Sequence, residues 1–313
     1  MKKLINILTA TALLAAPVFG GQLLKSQVDA GANWVAHLNY DQLAKSELGG
    51  LIRAELAKEG LEERLLAFQT IFSFHPIDDI RDVTIYGSGN NRDKAVAIFE
   101  GAFDPAKLVA LVRMNPEYEE IKQGDVVVHS WVDENKKDPN GPGQRMYGCI
   151  YKSNTVVLGS GLEAVRQGVD VLSGSAPNAE AAGIFKQAVL SAEGAFFQVA
   201  ANSVSELAHH HNRAALLKKT DELGAVIGEN DGQFYINLSL KAESQEVAQN
   251  VKKMIEGITA FLTIAGSEHP GLAELAKKLD ISNVDRTIMV YFESTPESVF
   301  AFLKEVWQKK KNR

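Results

Sequence analysis

Short runs that alternate between hydrophobic and polar residues are separated along this chain by longer segments with helical spacing. The run Trp34–Asn39 alternates, and from Asp41 onward apolar residues recur every three or four positions. Period-two alternation indicates a half-buried strand, whereas spacing of three and four indicates one buried face of a helix. The first half then continues with a helix over Leu61–Phe74, strands at Val83–Tyr86 and Ala95–Phe99, a helix from Asp104–Pro105, strands at Asp125–Val132, Arg145–Tyr151 and Thr155–Leu158, and a helix over Leu162–Leu172.

The second half repeats this order of elements with little residue identity. It contains a strand at Ala195–Val199, a helix through Val204 and Leu207, strands at Ala225–Ile227 and Phe234–Leu238, a helix over Val247–Leu262, a strand at Arg286–Glu293 and a helix from Thr295–Pro296. The recurrence predicts an α+β fold of two similar halves, each an antiparallel sheet with helices packed on one face. Small and turn-forming residues favour a linker at Ser173–Asn178. We expect the first half to cover residues 22–174 and the second half to cover residues 175–313.

Residues 1–21 have the pattern of a cleavable signal peptide. Lys2 and Lys3 are followed by the mostly apolar segment Leu4–Ala16, and Pro17 precedes a cleavage site of small or compact residues after Gly20. This arrangement is typical of export signals. The apolar segment is too short for an uncleaved membrane anchor, because a helix needs about 20 apolar residues to cross a bilayer. We therefore expect an exported protein in the periplasm or outside the cell.

The balance of charges argues against a nucleic-acid partner. The chain has 33 basic and 39 acidic residues, and loss of Lys2 and Lys3 leaves 31 against 39, a net charge of −8. Proteins that bind the phosphate backbone present a basic surface instead. No later apolar run has spanning length, so we do not expect an integral membrane protein after cleavage. The basic end Lys309–Arg313 fits a solvated helix terminus.

The sequence nominates no catalytic, cofactor-binding or metal-binding residue. It contains no phosphate-binding loop, no nucleophile elbow and no zinc-protease helix. The cluster His209, His210 and His211 has metal-ligand chemistry, but consecutive helical residues point about 100° apart, which favours a solvated helix end. Whether this cluster binds metal in the cell stays open. The loop Asp133–Gly143 lacks the spacing of a calcium loop, so a plain hairpin connection is the preferred interpretation.

The remaining candidates have ordinary structural interpretations. The single cysteine, Cys149, lies in a strand-like run and is expected in the core. The isolated histidines are expected to be structural or exposed; they are His37, His75, His129 and His269. The apolar helix positions Met254, Phe261 and Phe302 suit a core better than a lipid-binding groove, although both interpretations share the same spacing.

Two segments of the chain resemble uncharacterised exported bacterial proteins with a duplicated α+β domain. One is Asn33–Asn39 leading to Leu43 and Ser46–Gly49, and the other is Thr155–Ser160 followed by a helix and Ser173–Gly174. The resemblance implies a duplicated exported protein. It carries over no catalytic or binding residue.

Three hypotheses of function follow from the export signal and from the lack of a catalytic motif. The first is a non-catalytic structural or interaction protein of the cell envelope with an unknown protein partner. The second is a periplasmic carrier that holds an apolar ligand between sheet and helices. The third is a hydrolase whose site residues are scattered along the chain, since catalytic triads are recognised by geometry rather than by sequence order.

Overall fold

The described strands form one antiparallel sheet. A computed structural model describes residues 22–72, 74–75, 77–124, 126–133, 143–185, 193–204, 217–264 and 270–311. The strands in these ranges are β1 (Trp34–Asn39), β2 (Ile80–Gly87), β3 (Ala95–Gly101), β4 (Glu119–Gln123), β5 (Val126–Asp133), β6 (Gln144–Lys152), β7 (Thr155–Gly159), β8 (Ala195–Asn202), β9 (Thr220–Asn230), β10 (Gln233–Ala242), β11 (Leu279–Val284) and β12 (Thr287–Ser294). Their order across the sheet is β11-β12-β10-β9-β8-β1-β2-β3-β7-β6-β5-β4.

The helices connect these strands and cover the sheet. In the described ranges they are α1 (Tyr40–Lys45), α2 (Glu47–Lys58), α3 (Leu61–Phe72), α4 (Pro105–Arg113), α5 (Leu162–Ser173), α6 (Ala179–Ala182), α7 (Gln245–Ile264), α8 (Pro270–Ala276) and α9 (Pro296–Lys311). None of these helices combines the length and the apolar character that crossing a bilayer requires. The predicted signal peptide, residues 1–21, lies outside the described residues.

Local sequence signals explain several helix ends. The Asp104 side chain accepts a hydrogen bond from the Lys107 backbone N–H at 3.2 Å, which caps α4 just before Pro105. The helical segment predicted from Asp41 is divided at Ser46, whose hydroxyl accepts from the Gly49 backbone N–H and starts α2. A Cβ at position 49 would come within 1.8 Å of a backbone oxygen in α1, so the tight junction between the helices requires glycine.

The sheets of the two predicted halves are joined rather than separate. Strand β1 pairs with β2 on one side and with β8 on the other, so one sheet runs through both halves. Outward from this junction, the order is β1-β2-β3-β7-β6 in one direction and β8-β9-β10-β12-β11 in the other. In each direction a strand is followed by a hairpin, then by the last strand of that half and the strand before it. The first half adds β5 and β4 at its outer edge.

One face of the sheet, which we call the α4 face, is apolar from one end to the other. Paired residues on ten adjacent strands form a continuous row on it: Ile150, Val156, Phe99, Val83, Leu38, Phe197, Ile227, Ile236, Phe292 and Leu279. Helices cover this face in both halves, with α4 over the first half and α7 over the second. Burial of this row against helices is expected to be a major source of stability.

Helix α5 packs on the opposite face of the sheet, which we call the α5 face. The prediction that helices cover only one face is therefore wrong for the first half. Val165 and Val169 of α5 pack against Ile98 and Val157, whose strand neighbours Phe99 and Val156 point to the α4 face. Both faces of β3 and β7 are therefore covered by helices. Continuous apolar runs, rather than strict alternation, are the sequence pattern of such doubly covered strands.

The segment predicted to link the halves is held against the N-terminal part of the described chain. The Ala30 backbone N–H donates to the Pro177 carbonyl at 3.2 Å, and the Ala179 N–H donates to the Val28 carbonyl at 2.7 Å. Val28 and Ala179 are fully buried in the same apolar cluster as α5. These contacts place residues 22–33 and 175–182 side by side as a cover on the α5 face.

Candidate functional site

An apolar cavity lies between the α4 face of the first half and helices α3 and α4. Its volume is about 320 Å³, near the lower end of the range of about 300–1,000 Å³ for small-molecule sites. The lining residues are Phe68, Phe74, Ile80, Phe99, Phe103, Leu108, Val109, Leu111, Val112, His129, Trp131, Gly148, Cys149, Ile150, Val156 and Leu158. Among the described lining residues, His129 is the one that is neither apolar, a glycine nor the cysteine.

Aromatic rings form the wall of the cavity nearest to β2 and β3. The Phe74 ring meets Phe68 edge-on at 5.2 Å between centroids and meets Phe103 edge-on at 5.6 Å. Such edge-to-face pairs fix ring orientation in addition to burying apolar surface. This wall is therefore expected to keep its shape when the cavity is empty.

The floor of the cavity depends on a glycine in β6. A Cβ at position 148 would lie 2.9 Å from a methyl carbon of Leu158 and 3.1 Å from the Trp131 ring. Because Gly148 has no side chain, these two neighbouring side chains close over the strand at this point. The floor is consequently smooth and apolar between β5 and β7.

One end of the cavity is polar, at the outer edge of the sheet. His129 of β5 lines the cavity, and its Nδ1 lies 2.8 Å from the Tyr118 hydroxyl. The Tyr118 hydroxyl is also within 3.3 Å of a Glu120 carboxylate oxygen and accepts a hydrogen bond from Arg113 Nε at 3.4 Å. Arg113 in turn forms a 2.8 Å ion pair with Glu120. The end of α4 and the start of β4 thus meet at the histidine.

The charges at this polar end compensate one another. Hydrogen bonds from Arg113 and Lys122 lower the pKa of Glu120 to about 2, so this carboxylate is ionised. Burial is the main effect on the pKa of His129 and lowers it. The Glu120 carboxylate raises this pKa by a smaller amount, and the Arg113 guanidinium lowers it slightly further. The imidazole is consequently neutral near pH 7. The cavity therefore ends in a hydrogen-bonding group without a charge of its own.

A second group of buried polar residues lies on the α5 face, near the centre of the sheet. The buried Asn39 and Asp82 are paired with the half-buried Glu100 in one row across β1, β2 and β3. Burial raises the pKa of Asp82 to about 7, and the nearby Glu100 carboxylate contributes to this increase. Arg81 acts in the opposite direction, and Asp41 adds a smaller increase. Asp82 is therefore a buried carboxyl that titrates near neutrality.

The structure places the sequence candidates in different regions. Cys149 is buried, and burial raises the pKa of its thiol to about 11, so it is a core thiol rather than a thiolate. His37 is buried within hydrogen-bonding distance of Thr84 on the α5 face. His75 accepts a hydrogen bond from the Asp78 backbone N–H. His209, His210, His211 and His269, together with the loop 134–142, lie outside the described residues.

The apolar helix positions chosen from the sequence do not line the cavity. Met254 and Phe261 of α7 are 44% and 68% exposed, so their interpretation as core positions is wrong. The helix buries the neighbouring stripe of Ala248 and Val251 instead. His129, which lines the cavity, was expected from the sequence to be structural or exposed. An isolated histidine in a strand has no second ligand or catalytic residue at a recognisable spacing that would indicate a site. Among the described residues, no cluster of histidine, cysteine or acidic side chains is arranged to hold a metal ion.

Comparison of the sequence with protein-family models and with curated proteins finds no match. Among solved structures, crystal forms III, I and IV of TP0453 are similar to this chain. Form III has a TM-score of 0.48 at 9% identity, covering 90% of this chain and 97% of that one. Forms I and IV each have a TM-score of 0.45 at 8% identity, covering 90% of this chain and 96% of the other. At identities this low, the function of the chain has to be argued from its own residues.

Proposed function

We propose that this protein is a non-enzymatic binding protein that holds an apolar ligand in the cavity beneath α3 and α4. The observation that carries the proposal is the lining, which is apolar throughout except for His129. Burying apolar ligand surface contributes about 25 cal/mol per Å², so such a lining favours hydrocarbon over water. This lining supports the carrier hypothesis over the hydrolase hypothesis, because a hydrolytic site needs several convergent polar side chains and the described lining residues offer His129 and the buried Cys149 thiol.

Native mass spectrometry of the purified protein, together with titration of a fluorescent apolar probe, tests the proposal. We expect a bound mass or saturable probe binding in the wild type, and loss of both in Val156→Trp, which fills the cavity from β7. Val284→Trp is the matched control, because Val284 is 65% exposed on the edge strand β11. Val112→Phe is a milder filling variant on α4 if the indole prevents folding. Equal probe binding by the wild type and both filling variants would refute the proposal.

We further propose that the chain is exported and arose by duplication, with the boundary near Gly174. The basic and apolar pattern of residues 1–21 supports export into the periplasm or beyond. The matching strand orders β1-β2-β3-β7-β6 and β8-β9-β10-β12-β11 support duplication. Mass analysis of the N-terminus after expression with the native leader tests export. A mature chain that still begins at Met1 would contradict it.

A second candidate function, binding a protein partner, is favoured by exposed apolar side chains on α7. Met254, Ile258 and Phe261 are 44%, 53% and 68% exposed and are spaced to lie along one side of the helix. Contiguous exposed apolar surface of this kind often marks an interaction site. Light scattering on the wild type and on Phe261→Ser tests self-association. A wild type that is monomeric at all concentrations would exclude a second copy as the partner.

A further inference from the structure

The polar end of the cavity is built to hold one histidine in a fixed orientation. His129 is only 9% exposed, and its ring lies nearly parallel to the Tyr118 ring, with an interplanar angle of 22° and 6.0 Å between centroids. The 2.8 Å contact between Tyr118 and Nδ1 adds a directional constraint. Arg113 and Glu120 fix the Tyr118 hydroxyl in turn. A ring contact and a hydrogen-bond network together restrict the orientation of the imidazole relative to the cavity.

The contact to Tyr118 leaves the second ring nitrogen, Nε2, for a ligand. Nδ1 faces the tyrosine hydroxyl, and the ring itself lines the cavity. Within the part of the chain that the structure describes, Nε2 has no hydrogen-bond partner. If Tyr118 donates to Glu120, then Nδ1 carries the proton and Nε2 accepts; if Tyr118 donates to Nδ1, then Nε2 donates. A ligand hydroxyl can form a hydrogen bond with either tautomer of His129, because a hydroxyl both donates and accepts.

The charges around His129 decide which kind of polar group fits. Arg113, which donates to the Tyr118 hydroxyl, is already paired with Glu120 at 2.8 Å. Lys122 is bound to the same carboxylate at 3.2 Å. An anionic head group beside His129 would lose water without gaining an unpaired cation, which is costly for a charge. An uncharged hydroxyl would lose less water and would gain a hydrogen bond in an apolar setting.

We propose that the cavity takes a single-chain amphiphile with an uncharged hydroxyl head, which forms a hydrogen bond with Nε2 of His129 while its alkyl chain lies against Phe99 and the aromatic wall at Phe74. This inference rests on the proposed binding function and narrows it to one ligand class. His129 is the binding residue. Tyr118 is a positioning residue that acts through the imidazole. Arg113 and Glu120 hold Tyr118 and contribute no charge to the ligand.

Competition binding with three ligands of equal chain length tests the proposal. The assay measures how strongly 1-decanol, 1-chlorodecane and decanoate each displace the fluorescent apolar probe from the wild type at pH 8, where decanoate is ionised. We expect 1-decanol to bind more tightly than decanoate. His129→Leu should weaken 1-decanol binding about five- to tenfold, since one hydrogen bond is lost. The same variant should leave 1-chlorodecane binding unchanged or slightly tighter.

Two further variants separate binding from folding. His129→Gln keeps a polar group near the position of Nε2 and should restore part of the preference for 1-decanol. Tyr118→Phe keeps the ring but removes the hydroxyl, so it should reduce the ratio of 1-decanol to 1-chlorodecane affinity about two- to threefold. A purely structural role of Tyr118 would lower both affinities together and leave this ratio unchanged. Circular dichroism shows whether each variant is folded. If His129→Leu does not fold, His129→Gln and Tyr118→Phe still test the proposal.

The outcomes distinguish the two levels of the proposal. If neither the probe nor 1-chlorodecane binds the wild type, the binding function itself is wrong. If both bind but decanoate binds more tightly than 1-decanol, the assignment of an uncharged head is overturned. If folded His129→Leu and His129→Gln bind 1-decanol as the wild type does, the role of His129 is overturned while the cavity remains a binding site.

Discussion

In the second half of the sheet, Leu240 and Ile288 are buried beneath α7, whereas in the first half Phe99 and Leu158 are only half-buried beneath α3 and α4. The α4 face is apolar in both halves, so the chemistry of the strands does not explain the difference. Helix length does. At 1.5 Å per residue, the 20 residues of α7 extend about 30 Å and match the ten-residue strand β10. The nine residues of α4 extend only about 14 Å and leave part of the floor uncovered.

The two halves also differ on the α5 face at positions related by strand register. Asn39, Asp82 and Glu100 form a row across the first three strands, and Asn202, Glu222 and Lys241 form the corresponding row across β8, β9 and β10. In the second row, Lys241 and Glu222 make an ion pair at 2.7 Å. In the first row, two carboxyl groups face each other. The corresponding strand positions therefore carry an ion pair of opposite charges in the second half and two neighbouring carboxyl groups in the first half. We call Asp82 the uncompensated carboxyl.

Two matched truncations compare how much stability is lost when a leucine is removed beneath α7 and when one is removed beside the cavity. Leu240→Ala removes a side chain that is 4% exposed beneath α7, and we expect it to lower the free energy of unfolding by about 3–5 kcal/mol. Leu158→Ala removes a half-buried side chain that already borders a cavity, and we expect a loss of about 1–2 kcal/mol. Urea denaturation of both variants measures the difference. Equal losses would mean that the cavity is filled or collapsed in solution.

The uncompensated carboxyl predicts an unusual pH dependence. Asp82 has a pKa of about 7 in the folded protein and about 3.9 when unfolded. Between these values the unfolded chain releases a proton that the folded chain keeps, so stability falls as the pH rises from 4 to 7 and stays constant above that. The three-unit shift corresponds to about 4 kcal/mol at most, and partial solvation reduces the expected effect to about 2–4 kcal/mol.

Denaturation of Asp82→Asn across this pH range checks the prediction, because the amide cannot ionise and its stability should lack the decline. Glu100→Gln is the matched control. It removes the like charge and keeps an acceptor for the Gln27 side-chain amide, which lies 2.9 Å from Glu100. This control should make the decline smaller without abolishing it. A wild-type profile that is flat between pH 4 and 7 would show that Asp82 is not buried as described.

The sequence predicted the elements with strong local signals and missed those that depend on distant pairing. Strand β1 has the predicted limits Trp34–Asn39, and α4 begins after its predicted cap at Asp104. Strand β4 was missed because its sequence, Glu-Glu-Ile-Lys-Gln, is mostly charged and its position at the sheet edge allows this. The union of the two sheets rests on pairing of β1 with β8, which are more than 150 residues apart, and no local pattern encodes it.

The candidate site was harder to predict than the fold for a similar reason. The apolar character of α3, α4 and β5–β7 was visible in the sequence, but a lining residue and a core residue have the same periodicity. Whether a space remains between them depends on helix length and placement. The polar end requires Arg113, Tyr118 and His129 to meet across a turn and a strand pair, and their spacing along the chain matches no motif. In the sequence, Tyr118 and the acidic pair Glu119-Glu120 gave no indication that they lie beside His129.

A charge reversal converts the first row into a copy of the second. Glu100→Lys places a cation opposite Asp82, as Lys241 stands opposite Glu222. We expect this variant to lower the pKa of Asp82 and to raise the free energy of unfolding at pH 7 by about 1 kcal/mol, since a partly buried pair replaces a like-charge contact. Denaturation at pH 7 and pH 4 measures the change. A variant that loses stability equally at both pH values would indicate a steric rather than an electrostatic effect.

The smallest expected effect separates the two sides of α7. Phe261 is 68% exposed, so Phe261→Ser should change the free energy of unfolding by no more than about 0.5 kcal/mol. Val251 on the buried side is 6% exposed, and Val251→Ser should cost about 2 kcal/mol or more because it introduces a hydroxyl into the core. Urea denaturation of the two variants, at a protein concentration where light scattering shows a single species, makes the comparison. A loss above 1 kcal/mol for Phe261→Ser would mean that another surface covers this side of α7 in solution, which would favour the protein-partner hypothesis over a purely cavity-based function.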